Sequence, residues 1–232
     1  MRALMYADWC AAKRGFVRNL VVALLVVVPI VFSANEGGEL SPGVLVATMV
    51  VIMIVYYNLF GLFAPDEQNG WERVRLTLPV SARQVVRARY AFIAAMGAAS
   101  AVLAVLVGKL SELALLASGG ALNVPRGLGV IALAACVTVL SMMALLSLEL
   151  PIVFRFGMTK GRIAFAIPFI LSMLVAFEPV RKLFQDVGDV FLLLSEALGS
   201  PTLAIVAAAA AVVALYLLSM RLSEHLYAAR DF

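Results

Sequence analysis

Six long apolar stretches divide this chain, and they constrain its fold more than any other feature of the sequence. With 64% apolar and 14% charged residues, the chain differs from an average soluble domain, which is about 45–50% apolar and about 25% charged. A globule of 232 residues could not bury the excess apolar surface. The composition therefore predicts an all-α membrane protein. It excludes an ordinary soluble enzyme, a disordered regulator and a disulfide-stapled secreted domain.

A helix needs about 20 residues to cross a hydrocarbon core about 30 Å thick. The stretches cover residues 19–34, 44–64, 91–117, 127–150, 163–177 and 203–220. The first is short, but the charge of Arg18 can reach the interface. The fifth is also short and contains Pro168. We predict six transmembrane helices in a single domain, residues 1–232; five spans plus a re-entrant segment is the alternative.

Basic residues concentrate in alternate segments between the stretches, and this pattern sets the orientation. If the N-terminus is cytoplasmic, cytoplasmic segments carry fourteen of the 18 Lys and Arg residues. The outer segments carry only Arg126, Arg181 and Lys182, with Lys109 near the outer end of the third stretch. Because short cytoplasmic loops are enriched in Lys and Arg, we predict that both termini are cytoplasmic.

Two amphipathic segments lie outside the six stretches. Before the first stretch, apolar residues from Met5 to Phe16 recur at helical spacing, which predicts an N-terminal helix lying along the membrane surface. The alternative is a positive flank that only sets the topology. Between the fifth and sixth stretches, apolar residues of the segment 180–194 also recur at helical spacing, with polar residues between them. This pattern predicts an extracellular interfacial or re-entrant helix. Gly199-Ser200-Pro201 follows as a break.

The sequence contains no pattern of a catalytic, cofactor or metal site. Gly108-Lys109 lacks the other residues of a phosphate-binding loop. Cys10, Cys136 and the single His225 have no metal-ligand spacing. The central thirds of the stretches carry no Asp, Glu, Lys, Arg or His, whereas ion-coupled carriers retain such groups for their work. Glu149 and Lys109 are predicted to lie near span ends, where partial hydration lowers the cost of a charge. A proton-coupled carrier is therefore disfavoured, and any energy for transport must come from outside this chain.

The cytoplasmic segment of residues 65–90 is the most informative part of the chain. Its first predicted helix opens with two acids, Asp66 and Glu67, and closes with basic residues as far as Arg75, which suits the helix dipole. Pro79 disfavours helix at the residue before it and separates this helix from a second one. The segment therefore has two helices and a corner between them.

The second helix of this segment has a complete N-terminal cap. Ser81 is the predicted N-cap, Gln84 completes a capping box, and Val80 faces Val85 as a hydrophobic staple. Nothing interrupts this helix before the third stretch, so a force on the loop would move a membrane helix. The alternative is a charged connector that only sets topology, but the exposed Trp71 argues against it.

The loop also resembles that of a known family. Small bacterial permeases of the type-2 ATP-binding-cassette (ABC) exporter family have a loop similar to Asp66-Glu67-Gln68-Asn69-Gly70-Trp71-Glu72, followed by Leu76-Thr77-Leu78-Pro79-Val80-Ser81 and a basic helix. Residues 150–162 resemble that family's second cytoplasmic loop, and residues 1–9 resemble its opening helix. The resemblance implies a six-span half-transporter that pairs with a second permease copy or a paralogue. Each half would dock a separate cytosolic ATPase through the loop, called the coupling helix.

The resemblance also implies which residues contact the ATPase, with Trp71 as the apolar anchor. The expected interface comprises Glu67, Asn69, Gly70, Trp71, Glu72, Arg73, Pro79 and Ser81. The chain itself is expected to have no enzymatic activity and no cofactor, since ATP and Mg²⁺ would bind to the partner. Its expected location is the bacterial plasma membrane.

The substrate is less defined than the energy source. Uncharged span interiors suit hydrophobic or amphipathic cargo, such as a peptide, a lipid or a drug, without choosing among them. Two other functions remain open at this point: a membrane scaffold or regulatory protein without transport, and a secondary carrier. The sequence does not decide whether the permease pair is homomeric or heteromeric.

Overall fold

Every described segment of this chain is helical or a helix end. The computed structural model describes residues 2–33, 46, 48, 50, 52, 63, 80–117, 128–174 and 199–229. Its four long helices are α1 (Arg2–Ser33), α2 (Ala82–Ala117), α3 (Leu128–Leu174) and α4 (Pro201–Ala228). Since these parts of the chain contain no strand, the predicted all-α class is confirmed for them. The chain forms two compact units, Met1–Met143 and Ala144–Asp231.

Three of the described helical segments are long and apolar enough to cross a membrane: Ala82–Ala114, Leu128–Gly157 and Thr202–Ala228. They correspond to the third, fourth and sixth predicted stretches, and each is longer than the stretch that predicted it. The first, second and fifth spans stay predictions. The predicted extracellular helix at 180–194 lies outside the described residues.

The N-terminal segment and the first stretch form one continuous helix, α1, instead of a surface helix followed by a separate span. At 32 residues it is about 48 Å long. On the predicted apolar stripe, Ala12 is buried but Trp9 is 42% exposed, and Asp8 next to it is buried. Because α1 packs against α2, tertiary packing selects its buried face, and the apolar spacing identified that face only in part.

The helices α2 and α3 approach closely at Gly97. A Cβ atom at this position would lie 2.5 Å from the terminal methyl of Met143 and 3.4 Å from Cγ1 of Val139, so the flexible Met143 would have to move. One turn later, the Ser100 hydroxyl donates to the Gly97 carbonyl at 2.7 Å and is fully buried. Small residues thus allow close packing, as is usual where membrane helices meet.

The predicted cytoplasmic loop around 151–162 is largely helical. Helix α3, which contains the fourth stretch, continues past residue 150 and breaks only at Gly157. Helical backbone then resumes as far as Leu174. Gly157 has φ 77° and ψ 173°, a region that essentially only glycine adopts. The helix therefore extends beyond the fourth stretch, whose bounds as a membrane span stay a prediction. The residues after 150 still favour a helix, and the single residue Gly157 is enough to interrupt it.

In the second unit, α3 and α4 contact each other at two levels. The Ser219 hydroxyl donates to the Ser147 carbonyl at 2.6 Å. Further along both helices, the rings of Phe154 and Tyr227 meet edge to face with centroids 5.7 Å apart. Because residue numbers increase in the same direction along both helices between these contacts, α3 and α4 run parallel here.

Pro151 explains why the Ser147 carbonyl accepts this bond. In an uninterrupted helix, the N–H of residue 151 would donate to that carbonyl, but proline has no N–H. In a membrane helix, a side chain from a neighbouring helix commonly satisfies the freed carbonyl. Ser219 is that side chain, and it is buried.

The start of α4 is capped by its own sequence. Ser200 is the N-cap, and its hydroxyl oxygen accepts from the Leu203 N–H at 3.2 Å. Pro201 follows at the start of the helix, where its missing N–H costs nothing. Gly199 has φ 67°, so the chain turns through a glycine before the cap. The predicted break at 199–201 is confirmed, and it is also a helix start.

Candidate functional site

The predicted capping box at the end of the loop is present in the structure. The Gln84 N–H donates to the Ser81 hydroxyl oxygen at 3.3 Å, and the Ser81 N–H donates to Gln84 Oε1 at 3.1 Å. This reciprocal pair satisfies two backbone donors that a helix start leaves open. Val85 is buried and Val80 is half-buried, as the predicted staple requires. The loop thus joins α2 at a rigid helix start.

From this cap, α2 continues without a break for 36 residues, about 54 Å. That is well beyond the thickness of a hydrocarbon core, about 30 Å, so the helix is longer than a membrane span requires. The prediction of an uninterrupted connection between loop and span is confirmed. A displacement of Ser81 would therefore act on the whole helix.

A buried contact that the sequence analysis missed lies two turns into α2. The guanidinium carbon of Arg89 is 4.4 Å from the ring centroid of Phe63. Arg89 is only 3% exposed and Phe63 only 5% exposed. In the sequence, Arg89 is one of the fourteen Lys and Arg residues predicted to be cytoplasmic. A signal was available, since Arg89 follows Val85, the predicted staple residue, at the i,i+4 spacing of one helix face.

Of the eight residues expected at the ATPase interface, only Ser81 lies within the described residues, and it is exposed. The others lie outside the described residues: Glu67, Asn69, Gly70, Trp71, Glu72, Arg73 and Pro79. The structure therefore brings together the helix start at Ser81 and the buried Arg89–Phe63 contact. The interface itself stays a prediction.

Ionisable residues within the apolar helices lie in protein surroundings. Lys109 Nζ and Glu112 Oε2 are 2.7 Å apart on α2, and the Glu112 side chain is 3% exposed against 29% for Lys109. Pairing at i,i+3 neutralises both charges and lowers the cost of placing them in the membrane. The sequence analysis placed Lys109 near a span end and overlooked Glu112.

Glu149 departs from its expected environment. The sequence placed it near the end of the fourth span, where partial hydration would make a charge inexpensive. In the structure α3 continues two turns beyond it, and Glu149 is 5% exposed. It interacts with at least one other protein group, and its surroundings are protein instead of the expected water.

The described residues contain no group of three or more His, Cys, Asp or Glu side chains that could hold a metal ion. Cys10 is half-buried and Cys136 is exposed, and both are free thiols. This part of the chain offers a capped helix start, a buried contact beside the loop, and helices that are long and apolar enough to cross a membrane.

Comparison with known proteins places this architecture in a family. The model of the ABC-2 family transporter proteins matches residues 4–228, which is nearly the whole chain. No curated protein and no solved structure matches the chain significantly. The family match confirms the resemblance seen in the loop sequence. This chain therefore belongs to the ABC-2 family of membrane transporter proteins.

Proposed function

We propose that this chain is the permease subunit of an ATP-driven ABC exporter in a bacterial plasma membrane. The observation that carries the proposal is the family match over residues 4–228. The substrate class is hydrophobic or amphipathic: a peptide, a lipid or a drug. The long apolar helices and the neutralised Lys109–Glu112 pair favour such cargo, because they leave few charges to bind a polar ion.

The proposed topology has six spans, with both termini cytoplasmic. The parallel course of α3 and α4 between Ser147–Ser219 and Phe154–Tyr227 supports it. If these two helices both cross the membrane in the same direction, the chain must return across the membrane between them. The segment between Gly157 and Ser200 then makes the fifth crossing, and a re-entrant segment would not suffice.

Energy would enter through the cytoplasmic loop. In the proposed mechanism, a cytosolic ABC ATPase binds ATP and Mg²⁺ and presses on the coupling helix around Trp71. The displacement passes through the corner at Pro79 to the capped start of α2. The capping box at Ser81 and the unbroken helix behind it support this path, because a capped helix transmits force without unwinding first.

The proposed assembly contains two permease subunits and two ATPase subunits. We propose that the second permease is another copy of this chain or a paralogue. Without the ATPase, the purified chain should hydrolyse no ATP. The chain would then be a transport component whose enzymatic step takes place on its partner.

The test is purification of the tagged chain from its native membranes, followed by mass spectrometry of what co-purifies. We expect an ATPase with a phosphate-binding loop in a ratio of one per permease, and ATP hydrolysis by the complex. A variant in which residues 67–73 are replaced by a Gly/Ser linker serves as the control, and it should lose the ATPase. Recovery of the wild-type chain with no ATPase would favour a scaffold or regulatory protein instead.

A further inference from the structure

The contact between Arg89 and Phe63 lies where the two ends of the loop enter the membrane region. Phe63 is at the end of the second apolar stretch, and Arg89 is two turns beyond Ser81 on α2. At 4.4 Å from guanidinium carbon to ring centroid, the pair is well within the range of about 6 Å for a cation–π interaction. The contact therefore joins the two sides of the loop behind its cap.

Burial makes this contact strong and also costly. With Arg89 at 3% and Phe63 at 5% exposure, little water weakens the attraction between the guanidinium and the ring. Yet burying a charge carries a large desolvation cost, and an apolar side chain in its place would commonly be as stable or more stable. The neighbouring face of α2 is apolar, with Val86 and Ile93 fully or nearly fully buried. Stability alone therefore does not account for an arginine here.

A force that reaches Ser81 acts first on α2. Separating the ring from the guanidinium would lose the attraction between them, so the contact favours a second stretch that follows α2. The contact thus couples two membrane segments to one loop.

We propose that Arg89 is a positioning residue which, through Phe63, makes the second stretch and α2 move together when the ATPase acts on the loop. This inference rests on the proposed function. Arg89 lies outside the expected ATPase interface, and its proposed role is to pass on the motion of the loop, not to bind the ATPase.

The test follows a probe on the second stretch. In a chain with Cys10 and Cys136 replaced by serine, Ile52→Cys carries a bimane fluorophore; Ile52 is half-buried, so its surroundings change when the stretch moves. The complex with the cognate ATPase is purified in lipid nanodiscs. The measurement is the change in bimane emission when ATP and vanadate trap the ATPase. No transport substrate is needed, because the readout is the motion of the second stretch.

Three variants compare loss of the ring, retention of the ring and loss of an unrelated arginine. Phe63→Leu removes the ring and keeps an apolar side chain, and Phe63→Tyr keeps the ring. Arg83→Gln removes an exposed arginine from the first turn of the same helix. Loss of the contact should shift the equilibrium between joined and separated segments about thirtyfold, which is about 2 kcal/mol. We expect Phe63→Leu to lose the emission change, with Phe63→Tyr and Arg83→Gln retaining it, at unchanged ATPase binding.

The outcomes separate this inference from the proposed function. If the wild-type chain binds no ATPase, the proposed function fails and the inference fails with it. If the wild-type complex responds and Phe63→Leu responds equally, only the inference is overturned. Should Phe63→Leu not fold, Arg89→Gln takes its place, because it removes the cation that the ring attracts. A wild-type response in Arg89→Gln would then count against the inference.

Discussion

Trp71 is the residue at which the proposed ATPase contact is tested most directly. Large aromatic anchors dominate protein interfaces, and their truncation commonly costs about 2 kcal/mol or more, about thirtyfold in affinity. We expect Trp71→Ala to weaken ATPase binding by about this factor, measured by titration of the ATPase onto the chain in nanodiscs. Membrane abundance should not change, because the apolar stretches are untouched.

The control for this substitution is the other tryptophan of the chain, Trp9, which is partly exposed on α1. Trp9→Ala should bind the ATPase like the wild type. If Trp71→Ala also binds like the wild type, the loop is only a topological connector and the proposed interface is wrong.

Ser81 tests the capping box at the start of α2. Replacing an N-cap serine by alanine costs about 1 kcal/mol, whereas aspartate caps as well as serine does. We expect Ser81→Ala to speed hydrogen exchange at the amides of Gln84 and Val85, about fivefold for 1 kcal/mol. Ser81→Asp should leave exchange unchanged. Equal exchange in both variants would mean that the cap does not limit opening of this helix end.

At the scale of elements, the contact between α3 and α4 gives a prediction about a pair of residues. Ser219→Ala should destabilise the chain by about 1–2 kcal/mol, because it leaves the buried Ser147 carbonyl without a donor. In a Pro151→Ala background, residue 151 again has an N–H for that carbonyl, and Ser219→Ala should cost little. The measurement is a double-mutant cycle on thermal unfolding in detergent.

Ser141→Ala is the control for this cycle, since the Ser141 hydroxyl is exposed and bonds only within its own helix, to the Val137 carbonyl. It should change stability by less than about 0.5 kcal/mol. An equal cost of Ser219→Ala in both backgrounds would show that Pro151 does not create the need for this bond.

Two glycines of α3 are expected to respond in opposite directions to replacement by alanine. Gly157→Ala should destabilise the chain by about 1–3 kcal/mol, because its φ of 77° and ψ of 173° are strained for any other residue. A Cβ at Gly129 meets nothing within 4 Å, so Gly129→Ala should stabilise by up to about 1 kcal/mol. Thermal unfolding of the purified variants measures both effects. A neutral Gly157→Ala would mean that the break tolerates ordinary helical or extended backbone.

At the scale of the whole molecule, the six-span topology predicts which positions react from outside the cell. In a chain with Cys10 and Cys136 replaced, single cysteines at Glu39, Arg126 and Gln185 should react with a membrane-impermeant maleimide in intact cells. Those at Asn69, Thr159 and Asp231 should react only after permeabilisation. The measurement is the extent of labelling on a gel.

The positions in this experiment distinguish the alternatives. Labelling at Gln185 only after permeabilisation would favour five spans with a re-entrant segment, against the argument from the parallel course of α3 and α4. Labelling at Asn69 in intact cells would reverse the orientation, and the proposed coupling to a cytosolic ATPase would fall with it.

Features that depend on residues close together in the chain were predictable. The apolar stretches at 91–117, 127–150 and 203–220 correspond to helices that can cross a membrane, because side-chain hydropathy is a local property. The capping box of Ser81 and Gln84 and the break at 199–201 were predictable for the same reason. Their hydrogen bonds join groups within three residues.

Features that depend on distant partners were decided by the tertiary structure. The burial of Arg89 and Glu149 was not predictable, because burial of a charge requires contacts from elsewhere in the fold. The bond from Ser219 to the Ser147 carbonyl joins two helices, and no local pattern identifies it. The sequence by itself therefore determined the three apolar helices, the cap of α2 and the family. Only the tertiary structure decided which faces are buried and which residues connect one helix to another, since packing energy depends on both surfaces in contact.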